Sequence, residues 1–124
     1  MRGPVEPLTR ELEGGRAVTN VVHQLVARAE RRIEGVLAAG LWRPTLPAWR
    51  RAATRATLQV RLAGDGADTE GLTLPAAAAN HPTMLLVDGV HSLIASGADD
   101  GLAGLWSSHP LIALLTRAAL AGPG

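Results

Sequence analysis

The side chains with the most chemistry to offer are arginines. The chain has twelve basic residues, all of them Arg, and eight lie between Arg28 and Arg61. A guanidinium is planar, permanently charged and forked, which suits it to phosphate and carboxylate oxygens. Arg28, Arg31, Arg32, Arg50, Arg51, Arg55 and Arg61, carried on two neighbouring elements, could follow successive phosphates of a nucleic acid with little regard to base sequence. Arg50, Arg51 and Arg55 would carry most of that contact. The competing reading is a solvated face on which Glu30 and Glu34 pair locally. A compositional bias toward Ala, Arg, Gly and Leu would also remove Lys, Phe and Tyr together.

Other residue types offer less. No two of His23, His81, His91 and His109 stand three or four apart on one helix, the spacing that a zinc-binding helix uses. Asp88 and His91 are three apart and read as a surface pair, while His81-Pro82 and His109-Pro110 read as helix starts. Ser107-Ser108-His109 sets a hydroxyl beside a base without the strained elbow that exposes a nucleophile. These patterns lead to an expectation of no catalytic site, no metal and no cofactor, hence of a protein that is not an enzyme.

Charge is distributed unevenly. Met1 to Arg61 holds eleven Arg against five Glu, whereas Leu62 to Gly124 holds Arg117 alone against six acids. Opposite halves suggest a polyanion on one side, or head-to-tail contact between copies. The chain has no cysteine, so neither disulfides nor thiolate metal sites arise, and a reducing cytoplasm is the expected compartment. No apolar run reaches the ~18 residues of a membrane span. Trp42, Trp49 and Trp106 are the only aromatic side chains, too few for a base-stacking platform.

The elements expected to position these residues are helices. Val18, Val22, Leu25, Ala29, Ile33 and Val36 recur at three- and four-residue spacing, predicting a helix from Arg16 to about Ala39. Pro47 suits the first turn of a second helix, in which Trp49, Ala52, Ala53, Ala56, Val60 and Ala63 share a face; Leu58 to Leu62 can also be argued as a strand. Gly64 to Asp68 is a turn by composition. Leu74 to Ala79 could make one or two helical turns. The apolar run Thr83 to Ala95 predicts a central buried helix, Asp99 or Asp100 a cap for a short one through Trp106, and Ser108 to Leu120 a last one. The fold expected is all-α, a bundle of five to seven helices in one domain over 1–124, with residues 1–15 an arm or short helix and 121–124 a frayed tail.

Three stretches carry a family resemblance: VARAERRI at Val26 to Ile33, RPTLPAWRRAA at Arg43 to Ala53 with QVRLA at Gln59 to Ala63, and DGVHSLIASGADDGLAGLW at Asp88 to Trp106. They resemble the C-terminal part of the large subunit of subtype I-G CRISPR surveillance complexes. The resemblance implies a non-catalytic helical small subunit of a Cascade complex in antiviral defence. Such a subunit would contact the backbone of guide RNA, target DNA or the displaced strand, beside other subunits and further copies of itself, with no membrane involved. Sequence reading would be left to base pairing. The alternative is a helical adaptor that self-associates or docks on a protein without nucleic acid.

Overall fold

The structure, a computed structural model, describes residues 6–69, 71–97 and 101–122. They form a mixed α/β fold, not the expected all-α bundle. In chain order the elements are β1 (Thr9–Glu13), α1 (Gly15–Arg28), β2 (Arg32–Leu37), α2 (Trp42–Ala52), β3 (Thr57–Ala63), β4 (Ala67–Thr69), β5 (Leu72–Leu74), β6 (Ala76–Ala77), β7 (Thr83–Val87), β8 (His91–Ser96), β9 (Ala103–Ser107) and α3 (Pro110–Leu120). A 3-10 turn at Ala39–Leu41 leads into α2. One sheet runs in the order β1-β9-β8-β7-β2-β3-β6, and β4-β5 is a separate hairpin. β2, β3 and β6 are parallel to one another; the remaining pairs of the large sheet are antiparallel.

The expected helices fail at identifiable places. The helix expected to run to Ala39 stops at Arg28, and its continuation becomes β2, where Ile33, Val36 and Leu37 fill a strand buried on both faces. Such a strand is apolar without alternation, so periodicity alone cannot tell it from a helix. The run read as a central helix is a hairpin, β7-β8. Its turn has positive φ at both Asp88 (53°) and Gly89 (70°) and is closed by the Val90 N–H donating to the Val87 carbonyl at 3.0 Å. Asp-Gly between apolar runs is a strong hairpin signal, and here it outranks helical spacing. Leu58 to Leu62 belongs to a strand, β3; the segment read as an arm includes the edge strand β1; and the short helix through Trp106 is replaced by β9. Asp99 and Asp100 lie outside the described residues.

α1 and α2 cover one face of the sheet. Val18, Val22, Leu25 and Val26 of α1 and Ala48, Trp49 and Ala52 of α2 pack with Ile33, Leu37, Val60, Leu62, Leu85, Val87, Leu93 and Ala95. Trp49 is fully buried, and its indole N–H donates to Thr45 Oγ1 (2.9 Å), whose hydroxyl donates to the Leu41 carbonyl (2.6 Å). That chain of donors satisfies polar atoms that would otherwise be costly to bury. α3 begins at Pro110, capped by His109 Nδ1 accepting from the Leu111 N–H at 3.0 Å. It packs on β7 and β8 from the other side, the face of Glu34, Val36, Met84 and Ile94.

Candidate nucleic-acid interface

The loop between α1 and β2 is built by a side chain from far along the chain. Asp88 accepts from the backbone N–H groups of Glu30 (2.9 Å), Arg31 (2.7 Å) and Arg32 (3.0 Å), and its own N–H donates to the Arg32 carbonyl at 2.8 Å. Burial by itself would raise the Asp88 pKa; the hydrogen bonds from Arg32, Glu30 and Arg31, helped by the Arg31 charge, outweigh it and hold the carboxyl below its ordinary value. The charged form is thereby the stable one, and it sets the segment bearing Arg31 and Arg32 against the β7-β8 turn.

On the α3 face, these arginines meet two from other elements. One hollow of about 350 Å³ is lined by Arg31, Arg32, Thr57, Asp88, Gly89 and Arg117. A second, of about 230 Å³, is lined by Glu34, Gly35, Val36, Gln59, Arg61, Arg117, Leu120 and Ala121. Arg117 is common to both, so they form one open trough beside the end of α3. Within it Glu34 Oε2 lies 3.5 Å from Arg32 Nε and 3.7 Å from Arg117 Nη2, with those arginine side chains about half exposed. The trough therefore carries four guanidinium groups against two carboxylates, one of which is occupied by backbone N–H groups. That excess of exposed, forked donors suits an extended anion.

The seven arginines singled out from the sequence do not lie together. Arg31, Arg32 and Arg61 reach the trough, and Arg28 stands exposed on the last turn of α1. Arg50 and Arg51 are exposed on α2, which covers the opposite face of the sheet. Arg55 is structural: its guanidinium donates to the carbonyls of Ala29 (2.7 Å), Arg51 (3.1 Å) and Ala27, tying the end of α1 to the end of α2. Arg117 is the residue that sequence reasoning missed. Its only signal is to be the single cation after Arg61, on a helix otherwise apolar.

The charge asymmetry of the two halves does not become two faces. Asp88, from the acidic half, is inserted under Arg31 and Arg32, while Arg117 joins the basic group. Nor do the histidines cluster. His91 stacks on Trp106 at 5.9 Å, and among the described residues no group of three or more His, Asp or Glu could hold a metal. His81 is the exception in position. With Asn80, Thr83, Ser96 and Gly97 it lines a hollow of about 180 Å³ beyond the carboxyl ends of β2 and β8, where ligands of open α/β sheets commonly sit. His81 Nδ1 is 2.6 Å from the Pro82 carbonyl.

The fold is one already seen in solved structures, although no protein family and no curated protein matches the sequence. TrmBL2, an archaeal chromatin protein with a novel mode of DNA binding, is similar over 90% of this chain at 13% identity and a TM-score of 0.64. The match covers 49% of TrmBL2, so this chain spans about half its length. NucT from Helicobacter pylori is similar over 93% of this chain and 94% of its own, at 9% identity and a TM-score of 0.59. Nuc from Salmonella typhimurium, a phospholipase D family member, is similar over 93% and 92%, at 14% identity and 0.58.

These likenesses concern the fold, and they overturn three expectations. A helical Cascade small subunit is not this protein's role, because the fold is mixed α/β, built on a seven-stranded sheet, and its neighbours are of another kind. The helical adaptor falls with it. The expectation of a non-enzyme also fails as stated, since a phospholipase D family member has this fold over nearly its whole length. Among the described residues no helix is long and apolar enough to cross a membrane.

Proposed function

We propose that the chain binds the phosphate backbone of nucleic acid along the trough of Arg31, Arg32, Arg61 and Arg117. The observation that carries this reading is the convergence of four exposed arginines from three separate parts of the chain onto one open trough. The DNA-binding chromatin protein among the structural neighbours supports it. Backbone contact of this kind is indifferent to base sequence and releases counterions. The compartment we infer is the cytoplasm.

The test is binding to single-stranded and duplex DNA and RNA of unrelated sequence between about 50 and 200 mM salt, over which multi-phosphate contacts lose orders of magnitude in affinity. Arg61→Ala with Arg117→Ala is expected to weaken binding equally for all sequences and to reduce the salt slope by about 2. Arg55→Ala should lower stability and leave the slope alone. A slope unchanged in the double variant would remove the trough from the interface.

A second reading, phosphodiester hydrolysis, draws on the phospholipase D family member among the neighbours and on His81 at the strand ends. With Nδ1 donating to the Pro82 carbonyl, Nε2 would keep a lone pair for attack or proton transfer. No charged side chain lines that hollow among the described residues, leaving charge developing on a phosphate without a described counterion. Binding is therefore the leading reading, and loss of DNA cleavage in His81→Ala would raise hydrolysis above it.

A further inference from the structure

α3 is apolar on both sides. Ile112, Ala113, Thr116 and Leu120 are buried or half-buried on the sheet side, whereas Leu111, Leu114 and Leu115 are 62%, 63% and 64% exposed, with Ala118 exposed beside them. Positions 111, 114, 115 and 118 form one stripe at helical spacing. The stripe contains no charge, and Arg117 is the helix's only ionised group. Leu8, 57% exposed, extends the patch at the start of the helix, where the Leu8 N–H donates to Ser108 Oγ. A contiguous apolar stripe of this kind is a contact surface more often than bare surface.

We propose that the outer stripe of α3 is the seam of a symmetric homodimer, in which α3 packs antiparallel against α3 of a second copy. Two features select a second copy as the occupant. The first is self-complementarity. A two-fold axis through the midpoint of the stripe, between Leu114 and Leu115, sets each Leu111 opposite Ala118 of the other copy and interleaves the central leucines. Large then meets small at both ends, as an isologous contact needs.

The second feature is charge. On the α3 face, cross-strand pairs place Glu11, Leu105, Ile94, Met84, Val36 and Arg61 in one row across the sheet. Glu11 thus lies at the margin where α3 begins, and Arg117 near the end of the helix. Antiparallel pairing turns each Arg117 toward the Glu11 margin of the other copy; parallel pairing would set Arg117 beside Arg117. This inference does not rest on the nucleic-acid reading, but Arg117 enters both, so the dimer is read in the absence of nucleic acid.

Sedimentation or light scattering of the full chain without nucleic acid tests it. The expected result is a reversible doubling of mass with concentration, weakened at least about tenfold by Leu114→Glu, a change at an exposed position that far-UV dichroism should show to be folded. Because the chain has no cysteine, cross-linking can read the geometry. A mixture of Leu114→Cys and Leu115→Cys chains should form a disulfide between copies, and Leu111→Cys should do so only when combined with Ala118→Cys. A monomer at every concentration overturns the proposal. So does a dimer indifferent to Leu114→Glu, or Leu111→Cys cross-linking to itself. Binding of the monomeric chain to anionic lipid vesicles, lost in Leu114→Glu, would assign the stripe to a membrane surface instead and equally overturn it.

Discussion

A carboxylate that accepts three backbone N–H bonds, as Asp88 does from Glu30, Arg31 and Arg32, determines where the neighbouring arginines stand without adding a cation of its own. Removing it by Asp88→Ala should cost about 1–3 kcal/mol, since three donors lose a charged acceptor. The pH dependence follows from the direction of its shift. The folded pKa is depressed below the ordinary 3.8, so this contribution is fully present above about pH 4 and fades as pH falls through the lower folded value. Asp88→Asn keeps a residue tolerant of the left-handed backbone and one acceptor oxygen, but removes the titrating charge. Urea unfolding from about pH 2 to 7 should show a flatter acid limb for that variant; an identical limb would mean that other carboxylates govern acid sensitivity. Arg55 teaches the converse lesson, because a guanidinium in the densest part of the arginine segment is spent on backbone carbonyls of two helices.

Among the elements, β2 decides the architecture. It joins the parallel part of the sheet to the antiparallel part, with β3 on one side and β7 on the other. Gly35 sits at its centre, at φ +143°, and a Cβ there would lie 1.8 Å from the carbonyl oxygen of Met84. The obstacle is backbone in an adjacent strand, which cannot swing aside. Gly35→Ala should therefore destabilise by more than about 3 kcal/mol, whereas Gly40→Ala, with nothing within 4 Å, should change stability by well under 1 kcal/mol. Thermal unfolding of the two variants compares them directly; equal melting temperatures would contradict the packing described for β2. Gly35 also shows why the helical reading of 16–39 goes wrong. Ile33 and Val36 keep helical spacing with α1, and only the close approach of β7 reveals what the glycine is for.

For the molecule as a whole, the two helical layers share one sheet, and their stability should rise and fall together. α1 and α2 cover one face, and α3 crosses the other over β7 and β8, so tryptophan fluorescence and far-UV dichroism should report one coincident urea transition. An early dichroism phase, with Trp49 still buried, would mean that α3 or the β4-β5 hairpin detaches separately. Several features were legible without coordinates: the basic segment from Arg28 to Arg61, the first part of the turn expected over Gly64 to Asp68, whose Ala67 and Asp68 instead begin β4, and the last helix, expected from Ser108 and observed from Pro110 with His109 as its cap. Each rests on neighbours in sequence, through composition, capping or turn chemistry. The fold class, the separation of Arg50 and Arg51 from Arg61, the use of Arg55 inside the structure and the recruitment of Arg117 were decided by tertiary structure. These depend on which strand lies beside which, on Asp88 reaching 58 residues back to the Glu30 N–H, and on a sheet whose buried strands carry the same apolar pattern as a buried helix. Local periodicity holds no record of pairing across the chain, and pairing placed the charges.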